Sequence, residues 1–418
     1  MFNQLFLRSD ALTRQLSAPL VEERRRYLAQ CAAEGMSMET LRMKSRLLLS
    51  IVKYLRLGHR HRDIITVSEI NDAARRWSRQ NRPSTKGRYV EQARARFETQ
   101  AVKWLTFINR LQARSQPVTA CDHLLADFRN FMREDRGLSP TTVEYRCATV
   151  RPFLDQLLDG KSSLGTITVS DVDSLLAQKV NEEHYARVSV RTYASSLRSF
   201  FRYAEMRDWC PAGIAASIMA PRVFQHETLP SGPTWDIVRE ILDATAGDHP
   251  TAIRDHAVLM LLSVYGIRST EVARLRLSDI DWQQEAIAFT RSKGSARHLV
   301  PLRRSVGAAI VRYLKEVRPQ SPHREVFLTR RAPICPISNS VVFSIVARQL
   351  RKRAPSLKHH GPHSIRHACA THLINQGFSL KEIGDHLGHR DLNATRIYAK
   401  VDLIRLREVA SFDLGELL

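Results

Sequence analysis

The stretch from His363 to Tyr398, HSIRHACATHLINQGFSLKEIGDHLGHRDLNATRIY, decides how the rest of the chain is read. Four polar groups stand out against its helical spacing. His363 and Arg366 are three residues apart, His389 follows Leu387-Gly388, and Tyr398 lies nine residues further on. An arginine fork grips a phosphate through two parallel bonds. Histidine holds or passes a proton near neutral pH. A tyrosine hydroxyl serves as a covalent nucleophile where neighbours stabilise its anion. Together these groups point to nucleophilic attack on a phosphodiester.

Upstream, the residues from Thr234 read as one domain of helices with a small antiparallel sheet. WDIVREILDAT (235–245) is amphipathic, and HAVLMLLSVYGIRSTEVARLRLSDI (256–280) reads as a buried helix, a turn at Gly266 and a second helix opened by Ser269. AIAFTRSKGSARHLVPL (286–302) is two short alternating strands about Ser292-Lys293-Gly294, a hairpin signal. Helical spacing returns over 305–317 and 338–353.

H-x-x-R-H, L-G-H and the tyrosine, with G-I-R-S-T-E at 266–271 and Lys293 ahead of Val300-Pro301-Leu302, resemble the catalytic half of the tyrosine recombinases, the phage integrase family. The resemblance covers about 118–405, with specific motifs only from 266 to 398. It implies a catalytic set of Arg268, Lys293, His363, Arg366, His389 and Tyr398. Arg268 and Arg366 are expected to stabilise the charge that a phosphoryl transition state spreads over its non-bridging oxygens. Tyr398 would attack phosphorus and leave a 3′-phosphotyrosine link. His363 would take its proton and Lys293 would protonate the departing 5′-oxygen. His389 would donate to a phosphate oxygen, and Glu271 would orient the basic groups. The covalent link keeps the phosphodiester energy, so no cofactor, metal or ATP is expected. Double-stranded DNA is the implied partner, engaged by a tetramer of this chain, or of it and a related recombinase, on paired sites.

The N-terminal half contains a repeat. GMSMETLRMKSRLLLSIVKYL from Gly35 aligns with GLSPTTVEYRCATVRPFLDQL from Gly137, and ITVSEI (65–70) with ITVSDV (167–172), all at one offset of 102 residues. Each copy ends in a basic, aromatic helix. Two copies of one helical module follow, each with a serine N-cap and a second helix capped within TVS. The expected organisation is an N-terminal helical arm (1–34), a first module (35–115), a core-binding module (116–212), a Pro/Gly-rich linker (213–233), the catalytic domain (234–405) and a tail helix (406–418). The fold class is thus mainly α with a small antiparallel sheet: two helical SAM-like DNA-binding modules ahead of a tyrosine-recombinase catalytic domain. Whether the tail docks on its own domain or a neighbour's stays open.

Composition agrees with a polyanionic partner. The 418 residues carry a net charge of +22, and 43% are hydrophobic, as in a globular chain. Charge alone does not separate nucleic acid from an anionic membrane surface. No apolar run of about 20 residues suggests a membrane span, and MFNQLFLRSDALTRQL lacks the apolar core of a signal peptide. Six scattered cysteines without a C-x-x-C pair read as reduced thiols of a cytoplasmic protein. Arg42, Lys44, Arg46 and Lys53 in one module, and Arg146, Arg151, Arg191, Arg198 and Arg202 in the other, are expected as a set to touch phosphates. Arg24, Arg25 and Arg26 suit either a solvated helix or a contacting arm.

Three other readings compete with this one. His363 and His367 stand at the i, i+4 spacing of a zinc-binding helix, but Arg366 lies between them where a metalloprotease has glutamate, and its charge disfavours a cation. His367 then packs or bonds locally. A type IB topoisomerase would use the same chemistry to relax DNA. A non-catalytic DNA-binding accessory protein would need neither Lys293 nor Tyr398.

Overall fold

The computed structural model describes residues 1–60, 63–81, 87–112, 119–159, 163–181, 185–222, 231–291, 297–388, 395 and 397–398. The chain forms two compact units, Met1–Gln112 with Thr228–Leu418, and Ala113–Glu227. The described residues are mainly helical, with one small antiparallel sheet.

Residues up to 112 build α1 (Phe2–Leu5), α2 (Ser9–Ser17), α3 (Val21–Ala33), α4 (Met38–Tyr54), α5 (Val67–Asn81) and α6 (Gly87–Phe107). The second unit holds α7 (Ala120–Glu134), α8 (Pro140–Leu157), α9 (Val169–Asn181), α10 (Arg187–Met206) and α11 (Ile214–Ser217). The repeat is visible in the caps. Ser37 accepts from Thr40 N–H before α4 and Ser139 from Thr142 N–H before α8, each at 3.3 Å. Within each TVS the threonine takes the cap, because an acidic residue stands three positions on. Thr66 N–H donates to Glu69 and Thr168 N–H to Asp171, both at 2.8 Å.

The expected arm is part of a core. Phe2, Leu5, Phe6, Tyr27, Leu28 and Cys31 pack in one cluster with Leu48, Ile51, Phe97 and Trp104 of the first module. Arg24 is neither solvated nor free to reach a partner. Its guanidinium is buried and donates to Gln15 Oε1 (2.9 Å), Gln15 O (2.7 Å), Ala18 O (2.9 Å) and Pro19 O (3.1 Å). It closes the α2–α3 turn by satisfying carbonyls that no helix bond reaches. Arg24→Ala should therefore destabilise this module by about 3 kcal/mol, since buried acceptors lose a charged donor. A urea melt of the full chain measures it, and an unchanged midpoint would contradict the packing role.

The basic set narrows in the same way. Arg42 donates to Leu5 O, Lys44 to Gln100, Arg146 to Ser199 and Arg198 to Ile218 O, and Arg151 pairs with Asp122. Arg46, Lys53, Arg191 and Arg202 are exposed.

In the second unit Phe153, Phe200 and Phe201 meet edge to face, their centroids 5.4–6.2 Å apart where they touch. The segment expected as linker begins inside this core. Ile214, Ala215 and Ile218 are buried with it, and Glu205 accepts from Ala215 N–H at 2.8 Å. Apolar residues behind Pro211 and Gly213 were enough to fold a last helical turn.

The remainder of the first unit is α12 (Trp235–Thr245), α13 (Pro250–Tyr265), α14 (Ser269–Arg274), β1 (Ile280–Asp281), β2 (Ala286–Thr290), β3 (Arg297–Pro301), α15 (Arg304–Glu316), α16 (Asn339–Arg353), α17 (Pro362–Asn375) and α18 (Leu380–Leu387). The strands run antiparallel in the order β1-β2-β3, with Ala286 opposite Pro301 and Thr290 opposite Arg297. The apolar run of α13 is its centre. Ile253, Val258, Leu259, Leu261 and Leu262 are buried against residues of α12, α15, α16 and α17. The N-terminal module also touches this domain. Ile334 N–H donates to Glu34 O at 3.0 Å, and a Cβ on Gly35 (φ +83°) would stand 2.8 Å from Ile334 Cγ1. Among the described residues no helix is long and apolar enough to cross a membrane.

Candidate active site

Two glycines make the site possible. α13 ends at Gly266 in the left-handed region (φ +55°), where a Cβ would lie 2.4 Å from Leu387 Cδ2. α18 ends at Gly388, also left-handed (φ +63°). Arg366, on α17 and 2% exposed, ties these two ends together. Its Nη1 donates to Gly266 O at 2.5 Å and its Nη2 to Leu387 O at 3.0 Å. A guanidinium has five N–H donors, so three remain for another acceptor.

Arg268 stands two residues after Gly266 and precedes α14. Glu271, 2% exposed, accepts from Arg268 N–H at 2.9 Å and from its Nη1 at 3.2 Å. The same carboxylate lies 3.2 Å from Nη1 of Arg291, the residue after β2. The expected orienting role of Glu271 thus has a geometry, with a second arginine that sequence reading missed. Arg268 keeps 38% of its side chain exposed and is the guanidinium open to solvent. Burial, and then Arg268, pull the Arg366 guanidinium down to about 10, so it stays charged at neutral pH.

Tyr398 is buried with Ala370, Ile374, Ile383 and Leu387. Its Oη lies 2.9 Å from His367 Nδ1. Burial pushes the phenol up to about 12, opposed by the Arg366 charge. Burial, then His363 and Arg366, push His367 down to about 4. The bond therefore joins two neutral groups. His363, expected beside the tyrosine, stands at the exposed start of α17 with its ring 4.7 Å from that of His367, edge to face. The protein packed beneath it and the Arg366 and Arg268 charges hold its imidazole below the ordinary value, leaving it neutral and able to accept a proton at pH 7. The i, i+4 spacing that raised a metal reading here places His367 on the tyrosine instead. Lys293 and His389 lie outside the described residues, as does the tail.

The start of the domain braces α17. Trp235 stacks on His372 with centroids 4.0 Å apart. A Cβ on Gly232 would stand 2.7 Å from Ser364 O and 3.0 Å from Ala368 N, both backbone atoms flanking Arg366 and His367. Nothing in the Pro/Gly-rich stretch marked this glycine out. Gly232→Ala should shift α17 by a few tenths of an ångström and lower strand cleavage by about 10- to 100-fold, because small misplacements of a preorganised centre are costly. A cleavage time course beside a thermal melt tests this, and an unchanged rate would show that the contact relaxes freely.

Residues 234–403 match the phage integrase family and 125–208 its N-terminal SAM-like domain. The helical domain with its small sheet is thus of the phage integrase class. A putative integrase/recombinase of Sinorhizobium fredii (strain NBRC 101917 / NGR234), y4rA, is 35% identical over 294 residues, 70% of this chain and 71% of that protein. Tyrosine recombinase XerD of Listeria monocytogenes is 29% identical over 291 residues, 68% of this chain and 96% of that one. A crystal structure of the XerH site-specific recombinase bound to palindromic difH substrate, a post-cleavage complex, superposes with a TM-score of 0.53 at 16% identity, covering 88% and 95% of the two chains. That likeness shows the fold. The chain belongs to the phage integrase family, the tyrosine recombinases.

Proposed function

We propose that this recombinase cleaves and rejoins double-stranded DNA through a 3′-phosphotyrosine intermediate at Tyr398. The reading is supported by a chain of contacts: Tyr398 Oη meets His367, whose ring lies against that of His363, and Arg366, one residue before His367, reaches Gly266 O, two residues ahead of Arg268. Arg366 and His363 both feel the Arg268 charge, and Tyr398 feels that of Arg366. Tyr398 Oη attacks phosphorus, its proton passes to a base, and the O5′ bond breaks as that oxygen is protonated. His363 is the base and Lys293 the acid. Arg268 and Arg366 stabilise the growing charge on the non-bridging oxygens, and His389 donates to one of them. Religation runs the same steps backwards with a new 5′-hydroxyl. Tyr398 turns from His367 toward the phosphate as DNA enters. Arg46, Lys53 and Arg202 meet backbone phosphates outside the centre. A tetramer on paired sites performs the exchange.

The test is covalent trapping. Nicked duplexes cut from DNA flanking the gene are incubated with the protein and run on a denaturing gel. A shifted band that survives EDTA, with its nucleotide remnant mapped to Tyr398 by mass spectrometry, is the expected result. A remnant on another residue, or adduct formation lost with EDTA, would overturn the assignment.

A further inference from the structure

Arg291 is a buried charge that the chemistry above does not use. It follows β2 and lies two residues ahead of Lys293 in the chain. Its Nη1 stands 3.2 Å from Glu271 Oε2 and 3.4 Å from Oε1. Its Nη2 is buried and has no hydrogen-bond partner among the described residues. The guanidinium rests on Gly388. A Cβ there would lie 1.7 Å from Nη2 and 2.0 Å from Cζ, so any other residue would push the guanidinium off its seat. Gly388 thus serves two ends, its left-handed cap and the seat of this arginine.

The charges do not balance. Among the described residues Arg268 and Arg291 share one carboxylate, Glu271, and Arg366, nearby, is paired with carbonyl oxygens. Among the described residues, three guanidiniums near one carboxylate leave a positive excess in a mostly buried centre, which is costly unless an anion arrives. A phosphodiester supplies one negative charge, and a phosphorus under attack by a phenolate carries more. The excess therefore favours the transition state over the ground state. Glu271 alone would also be drawn toward Arg268. Held also by Arg291 at both oxygens, it keeps Arg268 in one orientation.

We propose that Arg291 is a positioning residue for strand cleavage, holding Glu271 and through it Arg268, with its guanidinium seated on Gly388. It touches no phosphate itself. The proposal rests on the reading of the site as a DNA-cleaving centre.

The experiment compares wild type, Arg291→Met, Arg291→Lys and Arg291→Gln in the full chain, on a nicked duplex that the wild type cleaves. Single-turnover cleavage and DNA affinity by mobility shift are read separately, with a thermal melt of each variant. Expected is a fall in cleavage of about 30-fold or more for Met and Gln, affinity within about twofold, and recovery by Lys to within about fivefold, because the charge beside Glu271 acts in the transition state. Cleavage by Arg291→Met within about twofold of wild type would overturn the proposal. So would equal losses in Lys, Met and Gln that track their melting temperatures, which is what a packing role gives. Should Met fail to fold, Lys against Gln decides by the same criterion. A wild type that forms no adduct on any flanking duplex sinks the cleavage reading itself, a failure distinct from normal cleavage by the variants.

Discussion

Tyr398→Phe is expected to remove covalent adduct formation completely while DNA affinity stays within about twofold of wild type. The hydroxyl is the atom that bonds to phosphorus, and phenylalanine supplies nothing in its place. The ring itself fits. It lies among Ala370, Ile374, Ile383 and Leu387, where a phenyl group packs as well as a phenol. What is lost locally is the 2.9 Å bond to His367 Nδ1, and leaving that imidazole without its partner should cost about 1 kcal/mol. The measurement is the denaturing gel for the adduct and a mobility shift for binding, run on the same nicked duplex. A persisting adduct would mean that another residue is the nucleophile.

Arg366→Lys should lower single-turnover cleavage by about 1,000-fold, the scale of losing a preorganised donor to transition-state charge. It should also soften the domain. The guanidinium reaches Gly266 O and Leu387 O together because its two terminal nitrogens diverge in one plane. An ammonium can meet one of those carbonyls well, and the other is left buried and unpaired at about 1–3 kcal/mol. Cleavage rate and melting temperature should therefore fall together, with the rate falling far more than the softening explains. A lysine variant that cleaves within about tenfold of wild type would remove Arg366 from the centre.

Much of this was legible beforehand. The apolar run of α13, its stop at Gly266 and the antiparallel pairing of β2 with β3 follow from spacing and alternation, which are local. So do the paired caps at Ser37 and Ser139, where the chain bonds to itself three residues on. The candidate set His363, Arg366 and Tyr398 stood out because ionisable residues recur in a helical stretch in the order and spacing of the family's motifs.

What stayed hidden depends on residues far apart in the chain. Arg24 looked like surface charge because nothing in VEERRRYLAQ tells that one guanidinium turns back to Gln15 and Ala18. Arg291 gave no signal at all, since its partner Glu271 is twenty positions earlier and its seat Gly388 almost a hundred later. The tyrosine's neighbour was expected to be His363, yet His367 holds it, four residues on and about 6 Å further along the same face of α17.

The sequence by itself determined the helical class, the duplicated module, the family and a set of candidate ionisable groups. Local periodicity, capping and motif order carry all of these. Only the tertiary structure decided which histidine meets Tyr398, that Arg268 and Arg291 share one carboxylate, and that Gly232 lies against the backbone of α17. Those facts turn on direction and distance between packed elements, and residue spacing along a chain does not encode either.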